Sequence, residues 1–434
     1  MAYLLHTEIK LCYNCLIHQP DRTYYGLPPK GDIMKQQHSN FLSLIRSCLW
    51  ETEPNLTSPD WEGIYELGRI HNLIPMIYEA ARPLPAFSEA SQDLQTKFME
   101  TAVYQSTSQF MKTQEFFTVY EKFAEAGLHP LVLKGLVCRS LYRQPDLRGS
   151  GDEDLWIQKE DWQTYDKILR DLGYHPKFED ITPILDTIQE AHYTGPLLTL
   201  ELHINPFGTE NHIRRHMNRV LQDAQKDSIT LTIEGHTIHT LKPTDHYLFL
   251  FIHLCKHFLG GGVGIRQIMD LFLFRQTWEK EIDQELFEEG VKELQEESLY
   301  QAVVEIGRRY LGFELPSFPI SGQELDGLLD DLLESGCFGN TSRFQRLSST
   351  YVASGIAARR KSRGSLRVLL FPPASSLYHR YSFLIKKPWL LPLAWCFRLG
   401  RFSKEALTTP ATVIRSIKRG RRRMKLMDKY RMFR

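Results

Sequence analysis

The sequence predicts an α+β fold in which a small mixed β-sheet core is flanked by an N-terminal and a C-terminal helical region. Three observations predict it. Apolar residues recur at helical spacing before residue 128, short strand-like and helix-like segments alternate from 129 to 241, and helical spacing returns after Pro243. A chain of 434 residues also exceeds what one hydrophobic core usually fills, so we expect several structural units.

The patterns divide the chain into five segments. Residues 1–37 show no clear period and include a turn-rich stretch, which indicates a loosely ordered lead-in. Residues 38–127 have helical spacing, and Gly127 stands at a C-cap position. The remaining segments are an α/β core over 128–241, a helical region over 242–340 and a basic tail over 341–434.

The core begins with HPLVLKG (129–135), a short strand of buried type that ends in glycine and precedes a helix-like segment. DLWI is strand-like, and a charged helix that ends at Gly173 leads to the strand-like YHPKFE. LLTLELHI (197–204) alternates as a further strand. SITLTIEGHTIHTL (228–241) predicts a hairpin that turns at Glu234 and Gly235.

Charge is segregated along the chain although the formal net charge is only +1. Residues 357–434 hold 21 Lys and Arg and two acids, a charge of +19, and the remaining chain carries −18. Such segregation indicates an interaction surface. Three partners fit the tail: nucleic acid phosphates, an anionic membrane surface that Trp389, Trp395 and Phe397 would also contact, or the acidic body of the chain itself.

Other features restrict location and redox chemistry. No stretch reaches the roughly 18 consecutive apolar residues of a membrane span, and the N-terminus lacks a basic flank before an apolar core, so we expect a cytoplasmic protein, with peripheral membrane contact left open. Seven scattered cysteines argue against a disulfide framework. Cys12 and Cys15 lack a second pair, so no zinc site is expected there.

Two aspartates in RGSGDEDLWI (148–157) carry the main chemical signal. Asp152 and Asp154 are two residues apart, so on a strand their side chains project from the same face. Adjacent carboxylates repel unless a cation lies between them, and Mg²⁺ suits such a site. Glu201 interrupts a leucine-rich strand and would be a third carboxylate, with His203 on its face. The alternative for the aspartates is a solvated turn.

Lys134 and Gly135 lie where the first predicted strand meets a helix. Glycine lets the backbone approach a ligand closely, and the amides at a helix N-terminus suit an anion such as phosphate. The Lys134 ammonium would add a positive charge for the same anion.

This order of elements is similar to the DNA polymerase beta type of nucleotidyltransferase. LVLKGLVCRSLY, LRGSGDEDLWI, LELHI, HLCKH and IRQIMDL together resemble the large family of uncharacterised bacterial nucleotidyltransferases over about residues 128–275. The resemblance implies an enzyme that transfers a nucleoside monophosphate from a nucleoside triphosphate to an unknown hydroxyl acceptor, with two Mg²⁺ ions.

The resemblance also implies roles for single residues. Asp152 and Asp154 would ligate the metals, and Glu201 would be the third acid, which helps to activate the acceptor. The residues implied near the triphosphate or the acceptor are Lys134, Gly135, Lys256, His257 and Arg266, with Asp270. A pair within one helix, Arg266 with Asp270 four residues later, is an equally good interpretation. His253 and His257 have a zinc-like spacing, but Lys256 replaces the glutamate of that motif.

Two departures from the family pattern leave an alternative open. Leu136 follows Gly135 where a second small residue is usual, and Glu153 replaces an apolar residue between the aspartates. We expect Glu153 on the opposite face of the strand, where it reaches solvent or else weakens the buried-strand interpretation. The alternative function is a catalytically silent nucleotide-binding or interaction protein whose tail binds an acidic partner. A third option is an enzyme that modifies RNA ends.

Overall fold

A computed structural model describes residues 32–209, 212–259, 262–336, 371–378, 380–408 and 410–431. In chain order its helices are α1 (Asp32–Trp50), α2 (Trp61–His71), α3 (Ile74–Ala81), α4 (Pro85–Ser88), α5 (Gln92–Glu125), α6 (Leu136–Ser140), α7 (Trp162–Asp171), α8 (His212–Val220), α9 (Pro243–Leu259), α10 (Ile265–Thr277), α11 (Gln284–Glu293), α12 (Glu297–Ile306), α13 (Gly322–Ser335), α14 (Phe383–Lys386), α15 (Leu391–Thr408) and α16 (Pro410–Lys429).

One mixed sheet forms the centre of the fold, as the sequence predicts. Its strands are β1 (Leu131–Val132), β2 (Glu153–Trp156), β3 (His175–Pro176), β4 (Glu190–Thr194), β5 (Thr199–His203), β6 (Ser228–Ile233) and β7 (His236–Leu241). Their spatial order is β3-β4-β5-β2-β1-β7-β6. The pairs β2/β5 and β1/β7 are parallel, and the other neighbouring pairs are antiparallel.

Positive φ angles at turn residues confirm two of the predicted boundaries. Glu234 and Gly235 have φ of 51° and 86°, so both turn residues take the left-handed region that a tight hairpin between β6 and β7 requires. Gly127 has φ of 74° just after α5, which confirms its place at the end of that helix.

The N-terminal helical run is divided where the sequence showed continuous helical spacing. Asn72 takes φ of 55° and ends α2, and α3 begins two residues later. A side chain at Gly149 would collide with the side chain of Asn72, so this break lies directly against the loop that precedes β2.

Other predicted boundaries shift. Helix α1 begins at Asp32, inside the segment expected to be a loosely ordered lead-in. Strand β4 was not predicted, because EAHYT alternates polar and apolar residues over only five positions. Cys12, Cys15 and the part of the basic tail up to residue 370 lie outside the described residues.

The last helix folds back on an acidic helix of the body, which was one of the three options for the tail. Arg422 in α16 contacts Asp330 and Glu334 in α13, both at 3.1 Å. The buried Arg423 lies 3.4 Å from Asp331 and donates to the carbonyl of Phe258 in α9. Among the described residues, no helix combines the length and the apolar character needed to cross a bilayer.

Candidate active site

A strip of charged side chains lies across the middle of the sheet. Asp154 on β2 and Glu201 on β5 are direct partners in the parallel strand pair. Glu201 in turn faces His192 across the antiparallel β4/β5 pair, and His203 faces Glu190. Because residues two apart share a face, all five side chains project from the same side of the sheet. The fold therefore gathers three carboxylates and two imidazoles from three adjacent strands.

His203 is the buried centre of this strip. Its Nε2 lies 2.8 Å from Oδ1 of Asp154 and 3.7 Å from Oε2 of Glu201, and its Nδ1 lies 3.3 Å from Oε2 of Glu190. Asp154 and His203 are almost fully buried, whereas the two glutamates are partly accessible. His203 therefore holds the carboxylate of Asp154 in place.

His192 holds two of the glutamates from the other side. Its Nδ1 lies 3.1 Å from Oε1 of Glu201, and its Nε2 lies 3.3 Å from Oε1 of Glu190. Burial alone would lower the pKa of His192, but hydrogen bonds to Glu190 and Glu201 raise that pKa to about 9. The imidazolium is therefore charged at neutral pH and fixes the orientation of Glu201.

Lys134 supplies the cation that Asp154 contacts. Its Nζ lies 2.8 Å from Oδ1 of Asp154 and 3.0 Å from Nε2 of His253. Burial alone would lower the pKa of Lys134, but the charges of Asp154, Asp152 and Glu201 raise it well above its usual range. Burial next to Lys134 lowers the pKa of His253 far below its usual value, so His253 is a neutral partner for the ammonium.

Asp152 lies just before β2, at the edge of the cluster. Burial and the charge of Asp154 raise the pKa of Asp152 to about 7, although Lys134 opposes the shift. Among the described residues, Asp154, Glu201 and His203 form a group whose ligand atoms all lie within 4.8 Å of one another, and Asp152 is outside that group. A second such group consists of Glu190, His192 and Glu201, so Glu201 belongs to both.

Glu153 faces away from the cluster, as expected, but it does not reach solvent. Its side chain is 0% exposed, and its Oε1 accepts from the Arg139 guanidinium at 2.9 Å and from the Ser150 hydroxyl at 3.1 Å. Its Oε2 accepts from the backbone amide of Leu136 at 2.7 Å. Glu153 was expected either to reach solvent or to weaken the buried-strand interpretation; it does neither, because a buried arginine and the start of α6 satisfy its carboxylate within a fully buried strand.

This contact also explains Gly135. The residue has φ of 51° and ψ of −104°, and a Cβ there would overlap the carboxylate of Glu153. The sequence predicts that backbone amides at the N-terminus of this helix bind a phosphate. The amide of Leu136, at that N-terminus, instead donates to Glu153. Any phosphate contact by this segment therefore rests on Lys134 rather than on that amide.

The loop before β2 is fixed by residues far away in sequence. Asp270 accepts two hydrogen bonds from Arg148, at 2.8 and 2.7 Å, and one from the hydroxyl of Tyr142 at 2.8 Å. Arg266 donates to the carbonyl of Gly149. The bidentate partner of Asp270 is thus Arg148, and Arg266 supports the loop through the carbonyl of Gly149 while its positive charge also acts on Asp152.

Helix α5 also holds the loop before β2, through two hydrogen bonds to Ser150. The amide of Ser150 donates to Oε1 of Gln109 at 2.6 Å, and Lys112 donates to the carbonyl of Ser150 at 3.0 Å. Neither residue stood out in the sequence, because a polar side chain on a long helix usually faces water. The N-terminal helical region is therefore part of the framework that places Asp152 and Asp154.

Helix α9 adds basic groups on the side of Lys134. Nε2 of His257 lies 2.9 Å from Nε2 of His253, which contacts Lys134. Burial lowers the pKa of Lys256, and the neighbouring charge of Glu190 counters that shift. The structure thus brings Lys256 and His257 to the cluster.

The sequence analysis missed Glu190 and His192 as site residues, and it missed the contact of His253 with Lys134. For Glu190 and His192, the only signal in the sequence was the alternation in EAHYT.

A mixed sheet that gathers carboxylates beside a lysine offers groups that can bind a divalent metal and a phosphate. Comparison with family models then identifies the chain as a member of the family described as uncharacterised nucleotidyltransferase, whose model matches residues 57–312. The protein is accordingly a transferase of nucleotidyl groups. The match includes α5, which supports the loop before β2. No curated protein and no solved structure matches the chain.

Proposed function

We propose that the protein transfers a nucleoside monophosphate from a nucleoside triphosphate to a hydroxyl acceptor and uses Mg²⁺ held by Asp154 and Glu201, with Asp152 beside them. One observation carries the proposal. Asp154 and Glu201 are strand partners on the same face of the sheet, so their carboxylates converge although 46 intervening residues separate them in the chain. Lys134 and His192 balance part of the negative charge of these acids, and a bound divalent cation would balance the rest.

The residues present fit a divalent metal. Carboxylate oxygens are the ligands that Mg²⁺ prefers, and Asp154 and Glu201 offer such oxygens to one ion. A second ion beside Glu190 and Glu201 would have to displace the His192 imidazolium, which pairs with both glutamates. Nε2 of His203 is engaged with Asp154, so we assign His203 to positioning. When bound, the metal would neutralise charge on the transferred phosphate and lower the pKa of the acceptor hydroxyl.

The chain's own groups complete the reaction. Glu201 accepts the proton of the acceptor hydroxyl, and His192 and His203 hold its carboxylate in place. Lys134 and Lys256 carry the positive charges that bind the triphosphate and the departing pyrophosphate. The hydroxyl oxygen attacks the α-phosphorus, and the bond between that phosphorus and the pyrophosphate oxygen breaks.

The test is label transfer from each of the four nucleoside triphosphates, labelled on the α-phosphate, with Mg²⁺ and a panel of acceptors. The panel contains sugar phosphates, hydroxyl-bearing antibiotics, proteins and RNA ends, and pyrophosphate release is followed in parallel. Asp154→Asn keeps the size of the side chain and removes its charge. The matched control is Asp227→Asn, which removes an exposed carboxylate paired with Lys242.

We expect transfer by the wild type and by Asp227→Asn, and a loss of about 100-fold or more in Asp154→Asn. Equal activity of Asp154→Asn and the wild type would refute the metal role. If the wild type binds nucleotide but releases no pyrophosphate with any of the nucleotides and acceptors, the catalytically silent alternative is favoured. A requirement for an RNA end would favour the third option.

A further inference from the structure

The part of the tail around α15 presents an apolar face to solvent. Within residues 388–400 every exposed position lacks a polar side chain. These positions are Pro388, Trp389, Pro392, Leu393, Cys396, Phe397 and Gly400. Trp389, Leu393 and Phe397 are 69%, 44% and 54% exposed, and they are spaced four residues apart. They therefore form one stripe along the helix and the turn before it.

The opposite face of the same segment is already satisfied by protein contacts. Ala394 is buried in a small separate core with Leu377 and Leu384. Trp395, which would contact lipid in the membrane option for the tail, is half-buried and donates from its indole nitrogen to the carbonyl of Pro372 at 2.9 Å. A helix packed on one side normally shows polar residues on the other, so the exposed stripe of Trp389, Leu393 and Phe397 needs a partner.

The segment that carries this stripe is basic, although Asp180 of the body lies near Lys386. Residues 371–401 contain five Lys and Arg and no Asp or Glu. Lys386 and Lys387 are exposed immediately before Trp389. In α16, Lys418 and Lys425 are likewise exposed, whereas Arg422 and Arg423 form ion pairs with α13. The complementary partner is therefore anionic as well as apolar.

We propose that this surface, formed by Trp389, Leu393 and Phe397 with Lys386 and Lys387, docks on an anionic lipid bilayer. The helix lies in the plane of the headgroups, with its stripe in the acyl boundary and the lysines at the phosphates. A surface that binds nucleic acid presents its cations at the centre of the contact, whereas here the centre is apolar and the cations flank it. The proposal is independent of the catalytic chemistry.

Vesicle sedimentation tests the proposal with the full chain. The vesicles are phosphatidylcholine alone and phosphatidylcholine mixed with phosphatidylglycerol. The apolar variant is Trp389→Ala with Phe397→Ala, and the charge variant is Lys386→Glu with Lys387→Glu. Phe110→Ala is the matched control, because Phe110 is 51% exposed on α5, away from the tail. Circular dichroism and thermal unfolding without vesicles verify that each variant is folded.

We expect the wild type and Phe110→Ala to bind the anionic vesicles and not the neutral ones. The apolar variant should lose about tenfold or more in affinity, because burial of each aromatic ring is a substantial part of such binding. The charge variant should lose a comparable factor, and added salt should weaken wild-type binding. Failure of the wild type to bind anionic vesicles overturns the proposal, as does unchanged binding by the apolar variant. Self-association or RNA binding through the stripe, with no vesicle binding, also overturns it.

Discussion

The buried ion pair between Glu153 and Arg139 should be one of the most sensitive points of the fold. The two side chains are 0% and 1% exposed, and their contact is 2.9 Å. Glu153→Ala would leave the Arg139 guanidinium buried without its anion and the amide of Leu136 without its acceptor. Removing one partner of a buried pair costs about 3–5 kcal/mol, so we expect the free energy of unfolding to fall by about 4 kcal/mol.

Urea unfolding followed by circular dichroism measures this change. The matched control is Glu125→Ala, which removes a glutamate paired with Lys122 at the surface and should change the free energy of unfolding by less than about 1 kcal/mol. The double variant Glu153→Gln with Arg139→Met removes both charges of the pair. Its free energy of unfolding should therefore lie well above that of Glu153→Ala. If Glu153→Ala is as stable as the Glu125→Ala control, the reasoning about this pair is wrong.

Two further predictions concern stability. Gly135→Ala should lower the melting temperature by several degrees, because its Cβ would overlap Glu153 and its backbone has φ of 51°. Acid should also destabilise the fold, because burial lowers the pKa of His71 and of His246 from 6.5 to about 4. The unfolded chain then binds protons that the folded chain does not, so the free energy of unfolding is highest above pH 6.5 and falls towards pH 4, by up to about 3 kcal/mol for each histidine.

Each of these two predictions has its own check. For Gly135→Ala the control is Gly322→Ala, because a Cβ at Gly322 meets no neighbouring atom; equal melting temperatures of the two variants would contradict the prediction. For the histidines, urea midpoints of the wild type and of His71→Gln with His246→Gln are compared between pH 7 and pH 4. The prediction fails if the double variant keeps the full pH dependence of the wild type.

Much of the sheet follows from local signals in the sequence. The hairpin of β6 and β7 depends on two adjacent residues that tolerate positive φ, and β5 depends on alternation within five residues. Asp154 was predicted from its spacing of two residues from Asp152, and Glu201 because it interrupts an otherwise leucine-rich strand. Their pairing could then be inferred because few short strands are available to lie side by side.

The remaining features depend on which strands and helices become neighbours. Glu190 and His192 face the site only because β4 pairs with β5 in one particular register, and no local pattern specifies that register. Asp270 pairs with Arg148, although Arg266 is four residues away on the same helix. Contacts between residues more than 100 positions apart have no signature in a single sequence.

Glu153 shows the limit of reasoning from polarity alone. An acid at this position was expected to face water or to argue against a buried strand, yet Arg139 provides a buried countercharge and α6 provides a backbone donor. The identity of Gly135 follows from the same contact, so three residues that appear separate in the sequence form one unit.

The most direct test of the account is divalent metal binding at Asp154 and Glu201. Mn²⁺ substitutes for Mg²⁺ at oxygen-rich sites, and its free form has a paramagnetic resonance signal that is lost on binding. With a non-hydrolysable nucleoside triphosphate analogue present, we predict that the wild type and Asp227→Asn bind Mn²⁺ about tenfold or more tightly than Asp154→Asn and Glu201→Gln do. Equal Mn²⁺ binding by all four proteins would contradict the central claim.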